Sequence, residues 1–279
     1  MNEQDTSNNE RVTEAQAPRP SKVNKKKTSN NEKYVLYADI MGFKERVMRT
    51  KHADLKKELK ELRKELYDWL RLYLENVETF KVSFFSDSIL IVDENTEFGF
   101  ECISRAAESL MIISLRHKFP IKGAIAKGEF TYEKEEQLFF GRAIIDAFLL
   151  QEEVHYYGIV AHHTMEEDIK KYSNGIEIAG FERRVIVSPY ILSPIPLKNG
   201  RITHYHLAYN LLRRIVEAKN TTKTNEVFIS WLERISGTVS GTPRIYVDNT
   251  LRVLEEDLRL YEETLEKLGD VEFPLKAFR

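Results

Sequence analysis

A chain of 279 residues, 42% of them hydrophobic and 11% aromatic, has enough apolar mass for one large domain or two small ones. A net charge of −2, from 42 basic and 44 acidic residues, excludes a surface built to coat nucleic acid and leaves room only for a local patch. The single cysteine, Cys102, excludes an internal disulfide, and no apolar run reaches the roughly 20 residues of a membrane span, so a cytoplasmic protein without a membrane partner is expected.

Residues 1–32 are rich in Asn, Glu, Thr, Ser, Pro and Lys and nearly free of hydrophobes. Such a composition cannot offset the entropy of ordering, which predicts a disordered tail, with Lys25-Lys26-Lys27 as part of a solvated linker. Tyr34 to Ile40 reads as the first strand, and Gly42 gives the backbone freedom for a sharp exit into a helix. In that helix Leu55, Leu59, Leu62, Leu66, Trp69 and Tyr73 recur at spacings of four and three, an apolar stripe that must pack on something. Phe80-Lys81-Val82-Ser83-Phe84-Phe85 and Ile89-Leu90-Ile91-Val92 flank Ser86-Asp87-Ser88 and read as a hairpin with Asp87 at its tip. A helix from about Glu97 to His117, holding a buried Cys102, and a strand from Ile121 to Phe130 complete the order strand, helix, two strands, helix, strand. That is the βαββαβ order of a ferredoxin-like α+β sheet.

In this topology the first and third strands are antiparallel neighbours. Asp39, at the end of one, therefore lies beside Asp87, at the start of the other. Beyond the core, Asp93-Glu94 and Glu133 to Glu136 read as solvated turns. A helix from about Arg142 to His155 and a strand near Tyr157 to Ala161 follow. A first domain is placed at 33–175 and a mixed, mainly helical extension at 176–279, with a strand near Thr203 to Ala208 and helices near Asn225 to Ile235 and Pro243 to Leu268. In the last helix Leu251, Leu254, Leu258, Tyr261, Leu265 and Leu268 repeat by seven over too few heptads for a coiled coil, so packing on its own domain is expected.

An ionised carboxylate among hydrophobes is costly without a cation or donors. Two of them at adjoining strand ends, next to a glycine turn that opens a helix, can hold two divalent ions against a triphosphate, with backbone N–H groups around Met41 to Phe43 facing the phosphates. The bland alternative makes Asp39 a helix cap and Asp87 a turn residue. His162-His163, and His204 with His206, lack an evident third ligand at zinc spacing.

Tyr37-Ala38-Asp39-Ile40-Met41-Gly42-Phe43 resembles the first metal motif of class III nucleotidyl cyclases, and Phe85-Ser86-Asp87-Ser88 resembles their second. Ile121-Lys122-Gly123-Ala124-Ile125 with Gly128 is similar to the strand that follows, and Gly141-Arg142-Ala143-Ile144-Ile145-Asp146-Ala147 to the start of their transition-state helix. The resemblance implies a nucleoside triphosphate substrate, two divalent metal ions (Mn²⁺ or Mg²⁺) held by Asp39, Ile40 and Asp87, and a homodimer with active sites at its interface. It implies substrate contacts at Ile40, Met41, Gly42, Phe43, Ser83, Lys122 and Leu138, and a catalytic cation at Arg142, with Lys122 or Lys127 as alternatives. The chain departs from purine cyclases where they read the base, with Ser83 and Leu138, and where they place Asn and Arg on the transition-state helix, with Ile145 and Leu149. In that combination it resembles the bacterial pyrimidine cyclases of the Pycsar anti-phage system, which implies cyclic UMP, or cyclic CMP, acting on a separate effector. Left open are a catalytically inactive nucleotide-binding relative, a purine cyclase, and a diguanylate cyclase or polymerase-palm relative, whose hairpin tip would carry paired glycines and a second acid absent here.

Overall fold

The computed structural model describes residues 31–73, 80–172, 189–208 and 221–268. The expected tail at 1–32 falls almost wholly outside them. The described residues all belong to one compact unit.

The chain begins with β1 (Glu32–Ile40), the short helix α1 (Phe43–Arg49) and the long helix α2 (His52–Tyr73). The hairpin β2 (Lys81–Phe85) and β3 (Ser88–Glu94) follows, then α3 (Glu97–Arg116), β4 (Ile121–Glu133), β5 (Leu138–Gly141) and α4 (Arg142–Glu153). After them come β6 (Ile159–Ala161), α5 (Glu166–Tyr172), the hairpin β7 (Tyr190–Leu197) and β8 (Gly200–Leu207), and two helices, α6 (Thr221–Ser236) and α7 (Thr242–Leu268). The sheet order is β2-β3-β1-β4-β6-β8-β7, with β5 pairing β4. Its first four strands are the ferredoxin-like core, in which β1 runs antiparallel to both β3 and β4.

Alternation along β1 decides its two faces. Tyr34, Leu36, Ala38 and Ile40 are buried with Ile89, Ile91, Ile121 and Ile125 against Leu62 and Leu66 of α2 and Ile103 and Leu110 of α3. Each such aliphatic side chain contributes about 1.5–3 kcal/mol when fully buried. The apolar stripe of α2 differs at its end from expectation: Leu70 is buried and Trp69 is 37% exposed, because a further step of four from Leu66 stays over the core and a step of three drifts off it. On the opposite face α4 and β5 lie over the sheet, with Ala143 against Val35, Leu90, Val92 and Phe130, and Ala147 against Ala124 and Ala126.

β5, β7 and α5 were not foreseen. β7 carries Pro194 and Pro196, which argue against a strand; it forms as the outermost strand, where its missing N–H groups break no ladder. In α7 the buried residues are Tyr246, Val247, Thr250, Val253, Leu254 and Asp257, so the described part packs on its own domain. Glu133 is the last residue of β4, and the turn beyond it covers 134–137. Asp93 is buried inside β3, not in a solvated turn.

Gly123 sits where β4 crosses β1. A Cβ there would come within 2.8 Å of both Ala38 Cβ and the Tyr37 carbonyl oxygen. Gly123→Ala is therefore expected to lower unfolding free energy by about 1–3 kcal/mol in urea titration followed by circular dichroism.

Candidate active site

The hairpin tip is a two-residue turn, Ser86-Asp87, with Ser86 at φ 55. Primed turns of this length need positive φ to match strand twist. The register sets Asp39 opposite Ser88 on β3 and opposite Lys122 on β4. The N–H of Ile40 donates to the Asp87 carbonyl at 2.8 Å, which clips the tip to the end of β1. Gly42 then takes φ 72, a left-handed turn into α1 that a Cβ would strain.

Asp39 lies on the sheet face covered by α4. Its Oδ1 accepts from the Ser88 hydroxyl at 2.9 Å, and its Oδ2 accepts from Gln151 Nε2 of α4 at 3.0 Å. Ser88 Oγ is also 2.7 Å from the Tyr37 hydroxyl. Burial pushes the Asp39 carboxyl above the ordinary carboxylate range; the hydrogen bond from Ser88 opposes that rise and the neighbouring charge of Asp87 adds to it. Burial likewise pushes the Tyr37 hydroxyl up to about 12. The Lys122 ammonium is buried, 3.4 Å from the Glu152 carbonyl oxygen and 3.9 Å from Glu152 Oε1. Its proton is held less tightly than usual because burial disfavours the charge, with Lys198 adding to the effect and Glu152 and Asp39 opposing it.

The donor set suits a hard divalent cation. Asp39, Asp87 and the Ile40 carbonyl offer oxygen alone, the preference of Mg²⁺ and Mn²⁺. A half-buried carboxylate further disfavoured by a second one would be stabilised by a cation beside it. Among the described residues no group of three or more His, Cys, Asp or Glu stands ready to enclose a metal by itself. Mg²⁺-type sites commonly use one or two carboxylates and take the remaining ligands from phosphate and water.

The other expected residues fall in three places. Ser83 lies on β2, its hydroxyl 2.7 Å from the hydroxyl of Tyr132, and the Tyr132 ring packs on Phe139 at 4.8 Å. Leu138 opens β5 beside them and is exposed. Arg142 begins α4, 74% exposed and 3.3 Å from Asp146. It precedes Gln151 by nine residues, about 13 Å along the helix axis, so within one chain it stands away from Asp39. Lys127 is opposite Tyr34 on the helix-covered face, where both side chains bind Asp168. That geometry removes Lys127 from the Asp39 face.

Sequence reasoning missed Gln151 and Tyr132. Neither belongs to a motif, and only the packing of α4 and the curl of β4 into β5 bring them to the site. Ser193, His206 and Asp257, by contrast, are a buried structural cluster. His206 Nε2 lies 2.8 Å from Ser193 Oγ and 3.0 Å from Asp257 Oδ1, whereas a nucleophile relay needs serine and carboxylate on different ring nitrogens. The rings of His162 and His163 lie 4.0 Å apart, tilted by 47° to each other. Among the described residues no helix is long and apolar enough to cross a membrane.

No protein-family profile matches the chain, and no curated protein matches its sequence. Among solved structures it is similar to the adenylyl cyclase CyaB from P. aeruginosa, at 15% identity and a TM-score of 0.43, over 63% of this chain and 93% of that one. It is similar to the monomeric guanylyl cyclase domain of the RhoGC fusion protein from the aquatic fungus Blastocladiella emersonii, at 15% identity and a TM-score of 0.46, over 64% and 95% of the two chains. The guanylate cyclase domain of RhGC from Catenaria anguillulae, solved in complex with GTP, gives 13% identity and a TM-score of 0.45 over 64% and 96%. Similarities of this extent carry no argument about activity, which rests on the geometry above.

Proposed function

We propose that the chain is a metal-dependent nucleotide cyclase that converts a pyrimidine triphosphate, UTP ahead of CTP, into the 3′,5′-cyclic monophosphate and pyrophosphate. The observation that carries this reading is the meeting of Asp39 and Asp87, distant in sequence, at the end of β1. A binding module has no need of two repelling carboxylates there. Divalent ions at this site would lower the pKa of the ribose 3′-hydroxyl and neutralise charge on the triphosphate. In the step itself the 3′-hydroxyl gives its proton to solvent water and its oxygen bonds the α-phosphorus, while the bond from that phosphorus to the pyrophosphate oxygen breaks and pyrophosphate leaves. The chain's part is to orient: Ser88 and Gln151 fix the Asp39 carboxylate, and the left-handed turn at Gly42 leaves the backbone N–H groups of Gly42 and Phe43 for a phosphate, whereas the expected Met41 N–H is taken by the Pro120 carbonyl at 2.8 Å.

The base reading rests on Ser83, Tyr132 and Leu138. The Ser83 and Tyr132 hydroxyls bond each other, which occupies the β2 side with an aromatic ring, and Leu138 offers no polar edge. A purine needs more room and matched donors and acceptors that these groups do not supply. The cyclic product would serve as a second messenger for a separate effector in anti-phage defence, as the Pycsar resemblance implies.

A homodimer completes the site. Phe85 is 82% exposed, and Phe140, Ile145, Phe148 and Leu149 form an exposed apolar face on β5 and α4 of the kind that marks an interface. A partner seated there would bring its Arg142 across to the Asp39 site, offsetting charge on the transferring phosphorus. One observation favours a second reading, an inactive nucleotide-binding regulator: Ile145 and Leu149 are apolar and exposed where an Asn and an Arg would act.

Asp39→Ala and Asp87→Ala are each expected to reduce product to background in a mass-spectrometric assay with Mn²⁺, with the far-ultraviolet circular dichroism unchanged. Near-normal turnover by either variant sinks the metal assignment. The paired change Ile145→Glu and Leu149→Glu is expected to leave unfolding within about 0.5 kcal/mol of wild type per site, and to yield a monomer without activity in sedimentation velocity and turnover assays. A wild-type monomer active at nanomolar concentration contradicts the dimer. With all four triphosphates in competition, cyclic UMP is the expected main product. Cyclic AMP or GMP in its place overturns the pyrimidine reading alone, while no cyclic nucleotide under any metal, with phage lysate added, makes the regulator the better account.

A further inference from the structure

Gln151 is fully buried, and its amide nitrogen serves two carboxylates at once, Asp39 Oδ2 at 3.0 Å and Glu152 Oε1 at 3.0 Å. That double donation fixes the amide orientation, since the flipped amide would set its oxygen against both anions. Its own oxygen, Oε1, is buried without a hydrogen-bond partner among the described residues. Leaving an acceptor dry is a cost that folds carry mainly where a geometry has to be kept.

Glu152, next in the chain, is held from the other side. Lys198, in the turn between β7 and β8, approaches Glu152 Oε2 at 3.6 Å, and its backbone N–H donates to the Glu153 carbonyl at 2.9 Å. The segment just after α4 is tied to the same C-terminal region three more times: His155 N–H to the Pro196 carbonyl at 3.1 Å, Asn249 Nδ2 to the His155 carbonyl at 2.8 Å, and Tyr157 N–H to Thr250 Oγ1 at 2.9 Å. The final turn of α4 thus has its position set by β7, β8 and α7.

We infer that Gln151 is a positioning residue for Asp39, and that the C-terminal segment, through Lys198 and Glu152, holds Gln151 in place. The inference rests on Asp39 being a metal ligand. It gives the C-terminal third a task at the site: to keep the Asp39 carboxylate in the orientation that Ser88 and Gln151 impose.

The test is Mn²⁺ titration without nucleotide, read by electron paramagnetic resonance on the full chain, for wild type, Asp39→Ala, Gln151→Met, Gln151→Asn and Lys198→Met. Met fills the volume of Gln without a donor, and Asn keeps the amide but withdraws it by one methylene. Both Gln151 variants are expected to bind Mn²⁺ about 10–100-fold more weakly, the range for groups that orient a metal ligand. Lys198→Met, at a half-exposed site, shifts affinity in the same direction by less. If Gln151→Met fails to fold, Gln151→Asn and Lys198→Met carry the comparison. Wild-type affinity in folded Gln151 and Lys198 variants, with binding lost in Asp39→Ala, overturns this inference and leaves the metal site standing. Wild type that binds no better than Asp39→Ala overturns the metal site and this inference with it.

Discussion

The site depends on strand register at the centre of the sheet. β1 lies between β3 and β4, and its buried set of Tyr34, Leu36, Ala38 and Ile40 alternates with Val35, Tyr37 and Asp39 on the other face. A slip of one residue would turn Asp39 into the helix-covered core and carry Leu36 and Ala38 out of it. The apolar alternation that builds the core therefore also fixes which face bears the carboxylate. Ser88 and Lys122 reach Asp39 through the same register, and the Ile40 to Asp87 hydrogen bond closes the corner.

The core was legible because its signals are local. Aromatic and β-branched runs broken by Ser86-Asp87 name a hairpin, Gly42 names the turn, and the four-three spacing of leucines names α2. Asp39 and Asp87 could be paired in advance because topology alone makes their strands neighbours. What stayed hidden depends on tertiary placement. Gln151 reaches Asp39 only because Ala143 and Ala147 let α4 lie close on the sheet. Tyr132 reaches Ser83 only because β4 runs on past β1 and turns back as β5. β7 was concealed by prolines that an outermost strand tolerates, and no motif reveals that a hairpin so far along the chain continues the same sheet.

The C-terminal elements join the core through apolar residues such as Leu207, Leu232 and Leu254, and are registered on one another by polar contacts in dry surroundings. Ser193 on β7, His206 on β8 and Asp257 on α7 meet where each is about 1% exposed, so the last helix is registered on the hairpin by groups that lose water only if all three arrive together. A purely apolar seam would permit sliding along α7, whereas a hydrogen-bonded cluster sets one position. The same hairpin holds the end of α4 by way of Lys198.

Charge placement on the Asp39 face follows from these constraints. Lys127 is committed to Asp168 on the far face, and Arg142 stands at the opposite end of α4, paired with Asp146. Lys122 is the cation opposite Asp39 in the register, yet its ammonium is buried and leans toward Glu152. Burial weakens its hold on the proton, so a second positive charge arriving nearby would weaken it further. Both ends of α4 are held to the sheet, one by Ala143 and the other by Gln151, while the Arg142 side chain itself is exposed beside the apolar patch. Under the dimer proposed above, an arginine there would serve a phosphate held by the second chain better than one held by its own.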